Sequence, residues 1–188
     1  MDPAALTRRV NLRRPSLRCQ LGCRPVLPRA HCALWRGVRE TLPNWPAGCG
    51  WASGSTFGTA EHFMMWRKAM LFGDEASAAE IVRASHPGRA KELGRGVRGF
   101  DQQRWEQCRF EIGVAGSLAK FSQHPDLRRF LLNTGDRVLV EASPVDTVWG
   151  IGLAADDPRA GEPEEWRGLN LLGFALTQAR TLLLGQGD

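Results

Sequence analysis

From residue 59 onward, apolar clusters recur at a helical period and are separated by residues that start or stop helices. Thr59 is placed to cap a helix over Ala60–Phe72, Gly73 closes it, and Asp74 opens a second over Glu75–Ala84. Pro87 suits a first helical position, so a short third helix should run to Leu93 and stop at Gly94. Asp101 caps the longest periodic segment, in which Trp105, Cys108, Ile112, Ala115 and Ala119 share one face between Gln102 and Ser122. A fifth helix, Pro125–Leu132, ends at Thr134 and Gly135. Arg137–Glu141 then reads as a strand, and Val148–Leu153 as a short extended piece within a polar loop spanning 142–168. The last helix covers Leu169–Leu184. Six helices with one or two short strands, and no alternating βαβ pattern, predict an α+β fold that is mainly α.

Before residue 57 the pattern is lost. Pro3, Pro15, Pro25, Pro28, Pro43 and Pro46 interrupt a stretch with neither a 3.6- nor a 2-residue apolar period, so little stable structure is expected over 1–56, with a single domain at 57–188. The overall charge of +5 belongs to this first segment, which holds nine Arg against Asp2 and Glu40; the remainder is mildly acidic. The basicity that would suggest a nucleic-acid or membrane partner is therefore a property of one segment. Cys19, Cys23, Cys32 and Cys49 also fall there, but their spacings lack the paired C-x2-C units of a zinc site, even with His31 nearby. No metal is expected. The chain has neither an apolar run of about 18 residues nor the apolar core of a secretory signal, so a cytoplasmic protein without membrane association is expected.

The helix predicted over 60–72 is the most informative stretch. Phe63, Met64, Met65, Trp66, Ala69, Met70, Leu71 and Phe72 place apolar groups nearly all round it, as in a buried helix. Glu61 and Lys68 nevertheless share one line along it, within about 20° and about 10 Å apart. Charges on a core helix either follow a narrow wet edge or line a site. His62 and Arg67 point elsewhere and read as edge residues, while His86 and His124 precede proline-started helices and read as turn residues. In Val140–Leu153, Pro144 bends the chain, Asp146 stands three residues before Trp149, and Gly150 and Gly152 admit a ligand or another backbone. A tryptophan so placed either stacks on a flat heterocycle or fills the core of a tight turn. No G-x-G-x-x-G follows a strand, and the P-loop, H-E-x-x-H and nucleophile-elbow patterns are absent. Carboxylate and lysine chemistry beside aromatic platforms remains.

Six segments in order, TAEHFMMWRKAMLFGD (59–74), HPGRAKELGR (86–95), FDQQRW (100–105), KFSQHPDLRRFLLNTG (120–135), LVEASPVDTVWGIGL (139–153) and GLNLLGFAL (168–176), resemble the NADAR or YbiA-like family. The resemblance implies an α-rich α+β fold. It also implies N-glycosidase action on phosphoribosylamino-pyrimidine intermediates of riboflavin biosynthesis, or, as in other relatives, removal of ADP-ribose from guanine in nucleic acid. By the same resemblance Glu61, Lys68 and Asp146 are catalytic candidates, and Trp105, Trp149, Gly150, Asn170 and Arg95 substrate-binding candidates. Breaking a ribosyl C1′–N bond passes through an oxocarbenium-like state, which needs an anion near C1′ and help for the departing nitrogen. Glu61 or Asp146 would supply the anion. Lys68 would orient a phosphate or hydroxyl as ammonium, or attack a ring-opened aldehyde as neutral amine. Trp105 and Trp149 would stack on the base, and Arg95 would meet the ribose phosphate. Neither metal nor organic cofactor is called for. The expected partner is a small phosphoribosyl molecule, with nucleic acid entering only as a modified substrate. Two readings compete: a non-catalytic ADP-ribose or nucleotide binder, and a nucleic-acid-binding tail within 1–56 on an inert domain.

Overall fold

The computed structural model describes residues 40–41 and 56–185. The strands β1 (Glu40–Thr41) and β2 (Thr56–Phe57) form a two-residue antiparallel ladder, Glu40 opposite Phe57 and Thr41 opposite Thr56. Six helices follow: α1 (Ala60–Leu71), α2 (Glu75–Arg83), α3 (Pro87–Arg95), α4 (Gln102–Gln123), α5 (Pro125–Leu132) and α6 (Leu171–Gly185). The mainly α class expected from the pattern is therefore the class observed. The four cysteines and His31 of the N-terminal segment lie outside the described residues. Among the described residues, no helix is long and apolar enough to cross a membrane.

The helix starts are set locally. Thr59 Oγ1 accepts from His62 N at 3.3 Å, Asp74 Oδ1 from Ser77 N at 3.2 Å, and Asp101 Oδ1 from Arg104 N at 2.6 Å, each satisfying a donor that a first turn leaves open. Gly73, between α1 and α2, takes a φ of 71°, which a glycine adopts without a steric cost. α1 lies against α2, α3 and α4, and α4 in turn carries α5 and α6. Phe57, Phe63 and Trp66 form an aromatic knot where β2 meets α1, with the Phe57 and Trp66 rings 5.1 Å apart.

Several expectations are corrected. Gly94 does not stop α3; the helix continues to Arg95 and is capped at Gly96. A β-carbon at Gly94 would overlap the Met65 side chain, so this glycine lets α3 sit close on α1. His62 and Arg67 are not edge residues but are 3% and 1% exposed. His62 bridges Thr59 Oγ1 at 2.8 Å and Ala84 O at 3.1 Å, tying α1 to the end of α2.

Neither Arg137–Glu141 nor Val148–Leu153 forms a strand. Their backbone groups find partners other than a neighbouring strand. Leu139 O and Glu141 N bond the side chain of Asn170, and Arg137 O accepts from Arg180 Nη1. The carbonyls of Thr147, Val148, Trp149, Gly150 and Ile151 accept from the backbone of residues 167–172. The last helix correspondingly begins at Leu171, after Asn170 with its φ of 52°.

Gly173, one turn from Asn170, is where this bracket is tightest. A β-carbon there would overlap Leu139 O and crowd the Asn170 amide. Helix propensity alone favours Gly→Ala by about 1 kcal/mol. Because the obstructing atom is backbone, Gly173→Ala should instead lower stability by about 1–3 kcal/mol, read as a lower urea midpoint at unchanged m.

Candidate active site

Glu61 sits in the first turn of α1, and its Oε1 is fully enclosed with no hydrogen-bond partner among the described residues. Burial is the main influence on this carboxyl and pushes its pKa up; Lys91 opposes the rise, Asp146 adds to it, and Arg95 opposes it more weakly. Glu61 thus feels the charges of one further carboxylate and two cations. Asp146 opens the turn of the 143–153 loop, its Oδ1 accepting from Val148 N at 3.0 Å and Trp149 N at 2.8 Å. These two bonds fix its orientation.

Two turns along α1, Lys68 forms a second group. Its Nζ donates to Gly94 O at 2.8 Å and stands 4.2 Å from the Phe100 ring centroid and 5.7 Å from that of Trp105. A carbonyl and aromatic faces replace part of the water an ammonium would otherwise hold, while burial lowers its pKa. Gly94 lies between Lys91 and Arg95 on α3, so α3 links the two groups.

The aromatic candidates differ in access. Trp105 is 8% exposed, whereas Phe100 beside it is 41% exposed. Trp149 is partly buried with its ring against α4, where a β-carbon at Gly113 would lie 2.8 Å from its Cζ3. Gly150 is buried, and a β-carbon there would lie 2.8 Å from both Asp146 O and Glu141 O. Its missing side chain makes room for backbone. Asn170, fully buried, accepts from Glu141 N at 3.0 Å and donates to Leu139 O at 2.9 Å. Both ends of its amide hold the loop that carries Asp146.

Asp146 and Arg95 therefore both act electrostatically on Glu61, and Lys68 stands beside Trp105. Sequence reasoning missed Lys91 and Phe100. Lys91 stands four residues before Arg95 on a short helix, a spacing that places both on one face. Phe100 is an apolar residue immediately before the Asp101 cap, where an exposed polar residue would be ordinary. Among the described residues, no group of three or more His, Cys, Asp or Glu is placed to hold a metal ion.

The geometry has counterparts in known proteins. Residues 36–184 match the NADAR domain, a match that includes β1 and begins before residue 57. The chain is 44% identical over 122 residues to the N-glycosidase R617 of Acanthamoeba polyphaga mimivirus, covering 65% of this chain and 72% of that protein. It is 36% identical over 138 residues to the chloroplastic riboflavin biosynthesis protein PYRR of Zea mays, spanning 69% of this chain but 20% of the maize protein. The NMR structure of the E. coli protein YbiA superposes with a TM-score of 0.58 at 27% identity, covering 86% of this chain and 95% of that one. Matched along most of its length by the family's domain and built on the same helical frame as YbiA, the chain belongs to the NADAR family.

Proposed function

We propose that this chain is an N-glycosidase that hydrolyses the C1′–N bond of phosphoribosylamino-pyrimidine intermediates of riboflavin biosynthesis. The observation that carries the reading is the enclosed carboxyl of Glu61 on a largely buried helix, raised in pKa by burial and within electrostatic reach of Asp146. The N-glycosidase name of R617 and the riboflavin role in the name of PYRR support the reaction type and the substrate class.

Hydrolysis adds water across C1′–N, giving ribose phosphate and the free amino-pyrimidine. The departing nitrogen needs a proton, and the carbon it leaves needs an anion beside it. A carboxyl whose neutral form burial favours suits the first task, and one oriented by two backbone amides suits the second. Glu61 takes the donor role and Asp146 the anion role. Lys68, fixed by Gly94 O, orients a substrate hydroxyl; its lowered pKa also favours the neutral amine that attack on a ring-opened aldehyde would require. Phe100 and Trp105 flank the same ammonium and supply an apolar wall for the base.

The test incubates the purified chain with the phosphoribosylamino-pyrimidines and, separately, with ADP-ribosylated guanosine, following products by mass spectrometry. Release of ribose 5-phosphate is expected from the first. Glu61→Gln and Lys68→Ala should each lower the rate at least about 100-fold at unchanged helical circular dichroism. Release of ADP-ribose alone would transfer the activity to modified guanine, and no release by the folded chain would end the N-glycosidase reading.

The position of Glu61 also has a stability consequence with a definite sign. Its folded pKa is raised, so between the unfolded value and the folded one the native state binds more protons, and stability falls as pH rises through that window. Glu61→Gln should therefore unfold at a higher temperature than the wild type at pH 8. The difference should close on acidification below the unfolded value near 4.5, where both side chains are neutral. An equal or lower midpoint for the variant at pH 8 would show that the carboxylate is compensated in the folded state.

A further inference from the structure

Residues 141–151 form a loop closed on itself: Ile151 N donates to Glu141 O at 2.9 Å across its neck. Asn170 reaches both stems of that neck. On the incoming stem its Oδ1 accepts from Glu141 N at 3.0 Å and its Nδ2 donates to Leu139 O at 2.9 Å. On the outgoing stem its backbone N donates to Gly150 O at 3.1 Å. Its own carbonyl accepts from Phe174 N at 3.1 Å in the first turn of α6, a helix anchored in the core by Leu172, Ala175, Leu176 and Ala179. One residue thus ties the loop to a packed helix.

The position makes two demands at once. Its φ of 52° is left-handed, a region that glycine, asparagine and aspartate enter most readily. The side chain must also offer an acceptor to Glu141 N and a donor to Leu139 O while fully buried. Glycine meets the first demand alone, and an ionised aspartate lacks the donor. The amide is closely walled in: a β-carbon at Gly173 would lie 2.5 Å from its Nδ2 and 2.7 Å from its Oδ1. A group so enclosed, with both ends bonded to backbone, has no face to offer a substrate. What it does hold is the loop that carries Asp146 and Trp149, whose backbone N orients the Asp146 carboxyl.

We propose that Asn170 is a positioning residue: it clasps the 141–151 loop and thereby sets where the Asp146 carboxyl stands, without itself contacting substrate. This differs from the substrate-binding role that the family resemblance implies for it. The consequence for turnover rests on the N-glycosidase reading. In that reaction a misplaced Asp146 stabilises the oxocarbenium-like state less well. Lys68, Phe100 and Trp105 stand on other elements and keep their hold on the substrate. Loosening the clasp therefore lowers kcat and leaves KM near its wild-type value.

The experiment compares the full chain with Asn170→Gly, which keeps the left-handed backbone, with Asn170→Asp, with Asp146→Asn, and with the double variant of Asn170→Gly and Asp146→Asn. Leu183→Val, in the core at the far end of α6, is the control for general destabilisation. Circular dichroism sets a temperature at which all are folded. Kinetics use a phosphoribosylamino-pyrimidine, and NMR follows hydrogen exchange at single amides. Asn170→Gly should lower kcat about 10- to 100-fold with KM changed by less than about 3-fold. It should add little to the loss caused by Asp146→Asn, since both act through one group. The amides of Glu141, Val148 and Trp149 should exchange at least about 10-fold faster, with those of α1 unchanged. Asn170→Asp should follow Asn170→Gly where the introduced carboxyl is ionised, and the wild type at the same pH where it is protonated and can again donate to Leu139 O. Leu183→Val should keep the wild-type kcat.

A loss that falls on KM and multiplies in full with that of Asp146→Asn would overturn the assignment and make Asn170 a substrate-binding residue. An unchanged kcat, or unchanged exchange of the loop amides, in Asn170→Gly would overturn it as well. An equal fall in kcat for Leu183→Val would reduce the effect to general stability. If wild type cleaves no N-ribosyl substrate, the functional reading fails by itself, and hydrogen exchange still decides whether Asn170 sets the loop.

Discussion

A helix enclosed by its neighbours, yet carrying a carboxyl and an ammonium on one edge, is the constraint around which this molecule is arranged. Burying either charge is costly unless something replaces its water. For Lys68 the replacement is Gly94 O and the Phe100 ring. For Glu61 no described hydrogen bond replaces it at Oε1. The asymmetry depends on how closely α3 approaches α1, which depends on position 94 having no side chain. The same contact docks α3, whose Lys91 and Arg95 act electrostatically on the glutamate. The cost of the uncompensated carboxyl is offset by the apolar burial around it, where Phe57, Phe63 and Trp66 each contribute on the order of 1.5–3 kcal/mol.

The second half of the site is built by backbone. Residues 139–153 look like a sheet in composition but are satisfied by an amide side chain and by residues 167–172. Close approach of two irregular segments requires places without side chains. Gly150 lies against Asp146 O and Glu141 O, and a β-carbon at Gly168 would collide with Gly150 O. Asn170 adopts a left-handed φ of 52° and converts the end of this bracket into the start of α6. Asp146 is consequently held on a loop braced by backbone hydrogen bonds, away from the two-residue ladder that is the sheet among the described residues.

Most helix boundaries were legible because their causes are local. Thr59, Asp74 and Asp101 each bond a backbone amide three residues ahead, and sequence displays such caps directly. The line through Glu61 and Lys68 was legible for a similar reason, since helical geometry alone places them together. What was not legible depends on what lies across a contact. The apolar run Val138–Val140 reports that Leu139 and Val140 are buried, not that a strand lies beside them. Gly94 reads equally as a stop or as a close contact until Met65 is seen opposite. His62 and Arg67 look peripheral on a wheel of α1, but Ala84 and Trp66 close over them. Lys91 is an ordinary exposed lysine until α3 is docked against α1.

The two carboxyls owe their settings to different parts of the fold. The state of Glu61 is a property of the core: it follows from how completely α1 is enclosed, and therefore from side chains on α3 and α4 as much as from its own helix. The orientation of Asp146 is a property of its own turn, where Val148 N and Trp149 N hold Oδ1. Packing changes around α1 act on the first with little effect on the second, while changes in the Pro144–Trp149 turn do the reverse. The two carboxyls that the proposed reaction assigns as proton donor and anion are thereby set by different parts of the structure. In the proposed reaction, the enclosure that destabilises a charged Glu61 also favours the neutral form that would donate to the leaving nitrogen.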